Sequence, residues 1–201
     1  MRARWAVALV IGGMGCSEAP WPRVVPEPAP HAQEAGATKA GEAAVAEAPA
    51  EKRAVTEVAV SAEAKAALDT LLGAYDTLHA ALTRDSLDGV AAAGATLAEA
   101  ARTARVVVGD ATLEARLTEV EARARGLGGT DLEAVRTTFG EVSQALVPLV
   151  AAVAALREGR RVFLCPMAHG YQKWIQREPS LRNPYFGSKM LTCGEESGWA
   201  P

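Results

Sequence analysis

Apolar residues recur at helical spacing between about residues 61 and 156, and the pattern predicts four helices. The first begins at Ser61, a good N-cap, with Glu63 in its first turn. Leu68, Leu71, Leu72, Tyr75, Leu78 and Leu82 then form one apolar stripe. Asp85 and Ser86 are expected to stop that helix and cap the next, which carries Leu87, Val90, Leu97 and Ala101 on one alanine-rich face. Gly109-Asp110 marks a turn, and the third helix offers Leu113, Leu117 and Val120 before ending at Gly126-Leu127-Gly128-Gly129. Thr130 and Glu133 have capping-box spacing, so the fourth helix is expected to start at Thr130. Its stripe runs from Leu132 through Val135, Phe139, Val142, Leu146, Leu149 and Val153 to Leu156, with a kink or interruption expected at Pro148. Short connections favour antiparallel neighbours. His79 reads as a surface or boundary residue, and Glu114, Glu119 and Glu121 with the nearby arginines as a solvated face.

Outside this body the pattern changes twice. From Ser17 to about Val60 alanine, proline and glutamate dominate, and large aliphatic side chains are nearly absent. Burial there cannot offset the entropy of ordering, so the segment reads as an extended, disordered tether. After Arg160-Arg161 the chain becomes aromatic, with Phe163, Tyr171, Trp174, Tyr185, Phe186 and Trp199 among glycines and prolines. That segment is expected to lie as irregular loops against the helices. The fold expected is all-α: an antiparallel four-helix bundle with an irregular, aromatic-rich C-terminal cap. Its organisation is residues 1–16 leader, 17–60 tether, 61–158 bundle and 159–201 cap, the last two forming one domain.

The extreme N-terminus adds a destination. Arg2 and Arg4 precede an apolar run, Trp5 to Met14, that is too short to span a bilayer. It closes in Gly13-Met14-Gly15-Cys16, which resembles the lipobox of bacterial lipoproteins, although an aliphatic residue usually stands where Gly13 does. That resemblance implies a lipidated Cys16 at the mature N-terminus, and the other reading is an ordinary secretory signal. Both export the chain. Ser17 in place of Asp implies the outer membrane, on its periplasmic face. Each buried methylene of the acyl chains would contribute about 0.8 kcal/mol to anchoring. The net charge of -3, with no basic cluster, argues against a nucleic-acid partner.

Sulfur is distributed in a way that changes the picture again. Once the leader and Cys16 are set aside, the remaining sulfur residues are Cys165, Met167, Met190 and Cys193. They stand in mirror order, Cys-x-Met then Met-x-x-Cys, with His169 two residues beyond Met167. A core in need of flexible filler would scatter methionines through the helices too. Thiolate and thioether donors select Cu(I), and imidazole suits copper, so Cu(I) or Ag(I) is one reading. A Cys165–Cys193 disulfide stapling the cap is the other, and residue pattern alone leaves the two open. A Cys165–His169 nucleophile and base lacks an orienting third group and an oxyanion site, so the chain is read as non-catalytic.

The same residues carry a second resemblance. Cys165 to Ala168, Tyr171 to Trp174, Asn183 to Gly187, Lys189-Met190 and Cys193-Gly194 resemble a bacterial domain of unknown function. That domain occurs alone in exported proteins and fused to periplasmic adaptor subunits of copper/silver-type heavy-metal efflux systems. Leu72 to Leu82 with Asp85, and Val135 to Leu146, look like its first and last helices, so the likeness spans about residues 60 to 195. Ile175-Gln176 departs from a Leu-Ser-like pair common in relatives. The resemblance implies a cell-envelope protein handling copper, with Cys165, Met167, Met190 and Cys193 as ligands and His169 as a further candidate. The implied partner is an efflux adaptor or a copper oxidase. A disulfide-stapled module that docks on an envelope protein without metal is the alternative.

Overall fold

A computed structural model describes residues 56–199. The expected leader, Cys16 lipidation site and most of the tether lie outside the described residues. Four long helices follow in order: α1 (Ala62–Leu82), α2 (Val90–Val107), α3 (Ala111–Ala124) and α4 (Leu132–Ala152), then a single turn α5 (Ala154–Arg157). Each long helix packs on the next in sequence, and Leu68, Leu72, Leu97, Leu117, Phe139 and Leu146 are fully buried between them. Ser61 caps α1 by accepting the Ala64 N–H at 3.1 Å, and Asp110 caps α3 from Leu113 at 2.9 Å. Both starts match the reading of the sequence. Just ahead of α1, the Val58 N–H donates to the Ala152 carbonyl at 2.7 Å, and Arg157 pairs with Glu57.

The all-α expectation is wrong. Three strands, β1 (Arg161–Leu164), β2 (Lys173–Gln176) and β3 (Glu195–Ser197), form an antiparallel sheet in the order β2-β1-β3. The molecule is therefore a mixed α and β structure, with helices packed as a bundle and a small sheet in place of an irregular cap. The strands place Val162, Phe163, Trp174 and Ile175 in the core, where branched and aromatic side chains suit a pleated surface. Phe163 stacks on Trp174 with centroids 5.8 Å apart, and Tyr185 meets the Trp174 ring edge-on at 5.7 Å. Alternation cannot show itself in strands of three or four residues, which is why the sheet escaped the sequence reading.

Smaller expectations also change. The N-cap of α4 is Asp131, whose carboxylate accepts the Glu133 N–H, rather than Thr130. Pro148 does not interrupt α4. The carbonyl it deprives of a donor is that of Gln144, an exposed residue, so water can satisfy it. The break comes instead at Val153, where the backbone turns extended. Glu121 is buried beside Arg105 and Arg125, whereas Glu114 and Glu119 face solvent as expected.

His79 and Asp85 depart furthest from expectation, and both hold the cap. His79 is buried, and its Nε2 lies 2.8 Å from the Arg182 carbonyl oxygen. Asp85 does not cap α2, whose N-cap is Gly89. It sits at φ 55° between α1 and α2, pairs with Arg136 of α4 and accepts the Ser188 N–H at 3.0 Å.

Candidate functional site

The sulfur residues sit on two turns that flank the sheet. β1 ends at Leu164, and Cys165 extends its ladder, with its N–H donating to the Gln172 carbonyl at 3.0 Å. The chain then turns, and the Ala168 N–H donates to the Cys165 carbonyl at 3.1 Å. Gln172 closes this loop through its amide, donating to the carbonyls of Pro166 and Ala168 at 2.9 and 3.2 Å. Met167 therefore rides on a pinned turn and is 55% exposed.

The second turn follows a short 3-10 helix, η1 (Gly187–Lys189). There the Cys193 N–H donates to the Met190 carbonyl at 3.0 Å, which closes Met190 and Cys193 into one turn. Asn183 is fully buried and organises the approach. Its N–H donates to the Leu191 carbonyl at 2.7 Å and its side-chain amide to the Cys193 carbonyl at 2.8 Å. Its own amide oxygen accepts the Tyr185 N–H at 2.8 Å. Gly194, at φ +134°, then brings the chain across the sheet. A Cβ there would lie 2.6 Å from the Leu164 carbonyl oxygen, so no other residue permits this approach.

The result is a contact between the two thiols. Cys165 Sγ and Cys193 Sγ are 3.6 Å apart, and both cysteines are free. Cys165 is fully buried, whereas Cys193 is half-buried. The hydrogen bond shared with Cys165 favours the protonated form of Cys193 and raises its thiol above the ordinary value, with partial burial adding to the effect.

His169 is not brought to this pair in the same way. It is exposed and lines a cleft with Glu133, Arg136, Thr137, Tyr185 and Phe186, which none of the four sulfur-bearing residues lines. Among the described residues, no three His, Cys, Asp or Glu side chains gather where one ion could be held. An ion on the two thiols would complete its shell with thioether, backbone or external donors. No helix among the described residues is long and apolar enough to cross a membrane.

Three polar groups, two on helices and one on the α1–α2 connection, hold the chain that carries Met190 and Cys193. His79 reaches the Arg182 carbonyl, Arg136 Nε donates to the Pro184 carbonyl at 3.0 Å, and Asp85 takes the Ser188 N–H. Hydrogen bonds from Ser188 and Arg136 hold the Asp85 carboxyl down at about 2. Burial pushes the His79 imidazole below its ordinary value. Gly187, at φ +54°, lies against the Asp85–Arg136 pair, and a Cβ on it would overlap both side chains.

Sequence reasoning missed these anchors. A signal existed for Arg136, a charged residue beside the apolar stripe of α4, and for Asn183-Pro184 as a turn. Nothing in sequence spacing marks Gln176, which is buried and accepts from Trp174 Nε1 at 2.9 Å while its own amide donates to the Glu178 and Ser180 carbonyls.

No family model, curated protein or solved structure matches this chain.

Proposed function

We propose that this chain is a cell-envelope lipoprotein, anchored through an acylated Cys16, whose C-terminal cap binds one Cu(I) ion for copper handling or efflux. The observation that carries the reading is the 3.6 Å contact between Cys165 and Cys193, on two turns that each bear a methionine. Two metal–sulfur bonds of about 2.3 Å meeting at a tetrahedral angle span about 3.8 Å, and the same bonds in line span about 4.6 Å. The pair therefore suits a bent, three- or four-coordinate ion that takes further donors. Met167 and Met190 are soft donors on the same two turns, and neutral thioethers select Cu(I) or Ag(I) over Zn(II). His169, which lines a separate cleft, ranks behind the four sulfurs. The sequence resemblance to domains of heavy-metal efflux adaptors supports the same ion and makes such an adaptor, or a copper oxidase, the expected partner.

The supporting chemistry is that of a dithiol exchanging protons for metal. Binding needs both thiolates, so it releases protons, and apparent affinity rises with pH. The raised Cys193 thiol strengthens that dependence. Trp174 and Phe163, buried beside the ladder that ends in Cys165, would keep water from one side of the ion.

The test is an anaerobic Cu(I) competition titration of the reduced chain beside Met167→Leu/Met190→Leu and Cys165→Ser/Cys193→Ser. One site is expected, weakened about tenfold or more in the methionine double variant and lost in the cysteine one. Binding that survives loss of both cysteines overturns the reading.

A further inference from the structure

The two thiols touch, but solvent reaches them unequally. Cys165 is 0% exposed and fixed at the end of the β1 ladder, ahead of the loop that Gln172 closes. Cys193 is half-buried on the outer turn, between exposed Thr192 and exposed Gly194. A small molecule approaching the pair meets Cys193 first. We infer that Cys193 is the thiol that exchanges with low-molecular-weight disulfides, and that Cys165 is the resolving thiol that completes an internal disulfide.

The steps balance without a further oxidant. The Cys193 thiolate attacks one sulfur of a small disulfide RSSR, forming a Cys193–S–SR mixed disulfide and releasing RS⁻. Cys165, 3.6 Å away, then loses its proton and attacks Cys193 Sγ. The Cys165–Cys193 bond forms, the Cys193–SR bond breaks, and the second thiol leaves as RSH. The protein gives up two electrons and two protons, and one RSSR becomes two RSH. A cysteine pair already in contact makes the second step intramolecular, so the mixed disulfide is short-lived.

The consequence for metal rests on the copper reading of the same pair. A disulfide has no thiolates to offer, so exchange on a loaded chain would discharge the ion. A metal site that opens on oxidation and refills on reduction follows from two cysteines placed this way.

The experiment uses the full-length chain with Cys16→Ser, reduced, metal-free and treated with glutathione disulfide, followed by intact mass and peptide mapping. Wild type should lose two hydrogens, and Cys165→Ser should accumulate one glutathionyl group on Cys193. Cys193→Ser should react about tenfold more slowly or worse. Because Cys165→Ser perturbs a buried site, a rapid acid quench of the unmutated pair provides the second measurement, and its transient adduct should map to Cys193. An adduct on Cys165, or equal reactivity of the two single variants, overturns the inference. Cu(I) titration of the reduced and oxidised chains separates the two proposals. If reduced chain binds no Cu(I) while adducts still map to Cys193, the metal reading falls and the exchange order stands.

Discussion

Single residues decide whether the sulfur-bearing turns stay in place. Gly187→Ala would force a left-handed φ on alanine and drive its methyl into the Asp85–Arg136 pair. We expect a loss of at least about 2 kcal/mol, read by urea denaturation. The Asp85 carboxyl contributes in a defined window. Its folded pKa of about 2 lies below the ordinary 3.8, so its stabilisation is complete above 3.8 and disappears as pH falls through about 2. Asp85→Asn should flatten the acid limb of the stability curve there. His79 acts at higher pH. Its imidazole is held neutral by burial, so protonation is disfavoured in the folded state and stability declines as pH drops below 6.5. The groups around it are Asp76, Arg182 and Glu178, and its Nε2 meets a carbonyl that any replacement must still satisfy. His79→Gln should remove the decline between pH 7 and 5, checked by chemical denaturation at each pH.

Among the elements, one hydroxyl of the helices holds the backbone of the buried sheet. Tyr75 of α1 stacks on Phe139 of α4 at 4.9 Å. Its oxygen lies 2.7 Å from Ser143 Oγ and accepts the Ile175 N–H of β2 at 3.3 Å. Tyr75→Phe keeps the stack but leaves that buried strand N–H unpaired, so a cost of about 1–2 kcal/mol is expected. Faster hydrogen exchange at Ile175 is the matching local readout; unchanged exchange would mean that water replaces the hydroxyl.

The legible part of the fold was what repeats. Leucine stripes, the Ser61 cap and the Gly109-Asp110 turn reveal α1 and α3 because each signal is local in the sequence. The sheet was not legible, because Val162-Phe163 and Trp174-Ile175 are too short to show a period and are defined by partners elsewhere in the chain. Thr130 and Asp131 are both good caps, and only the backbone chooses between neighbours. For the site, sequence named the four sulfurs and their mirror order. It gave no sign that Cys165 would be buried and Cys193 half-open, because that depends on Gln172, Asn183 and Gly194 acting from outside the motif.

The whole molecule is tied together by charge across its two halves. Asp76 of α1 receives Arg160 at 3.1 Å and Arg177 at 3.0 Å, both from the cap, and the Arg160 side chain is only 2% exposed. Removing Asp76 would strand a buried guanidinium, so Asp76→Ala should cost about 3 kcal/mol. Arg160→Leu in the same chain should restore part of that loss. Additive losses in the double variant would show that the pair is not coupled.

These partners are far apart in time as well as in sequence. The ribosome makes Asp76, Tyr75, His79 and Asp85 early, yet the groups they serve, Arg177, Ile175, Arg182 and Ser188, emerge about a hundred residues later. At about 5–20 residues per second, α1 waits roughly 5–20 s for them. Until then Tyr75 has only Ser143 and Asp85 only Arg136, His79 has no carbonyl to meet, and the helices lack the strand that completes their core. A nascent chain therefore stays open until its last segment arrives, and a chain cut short before residue 160 carries α1 with Asp76 and His79 unanswered.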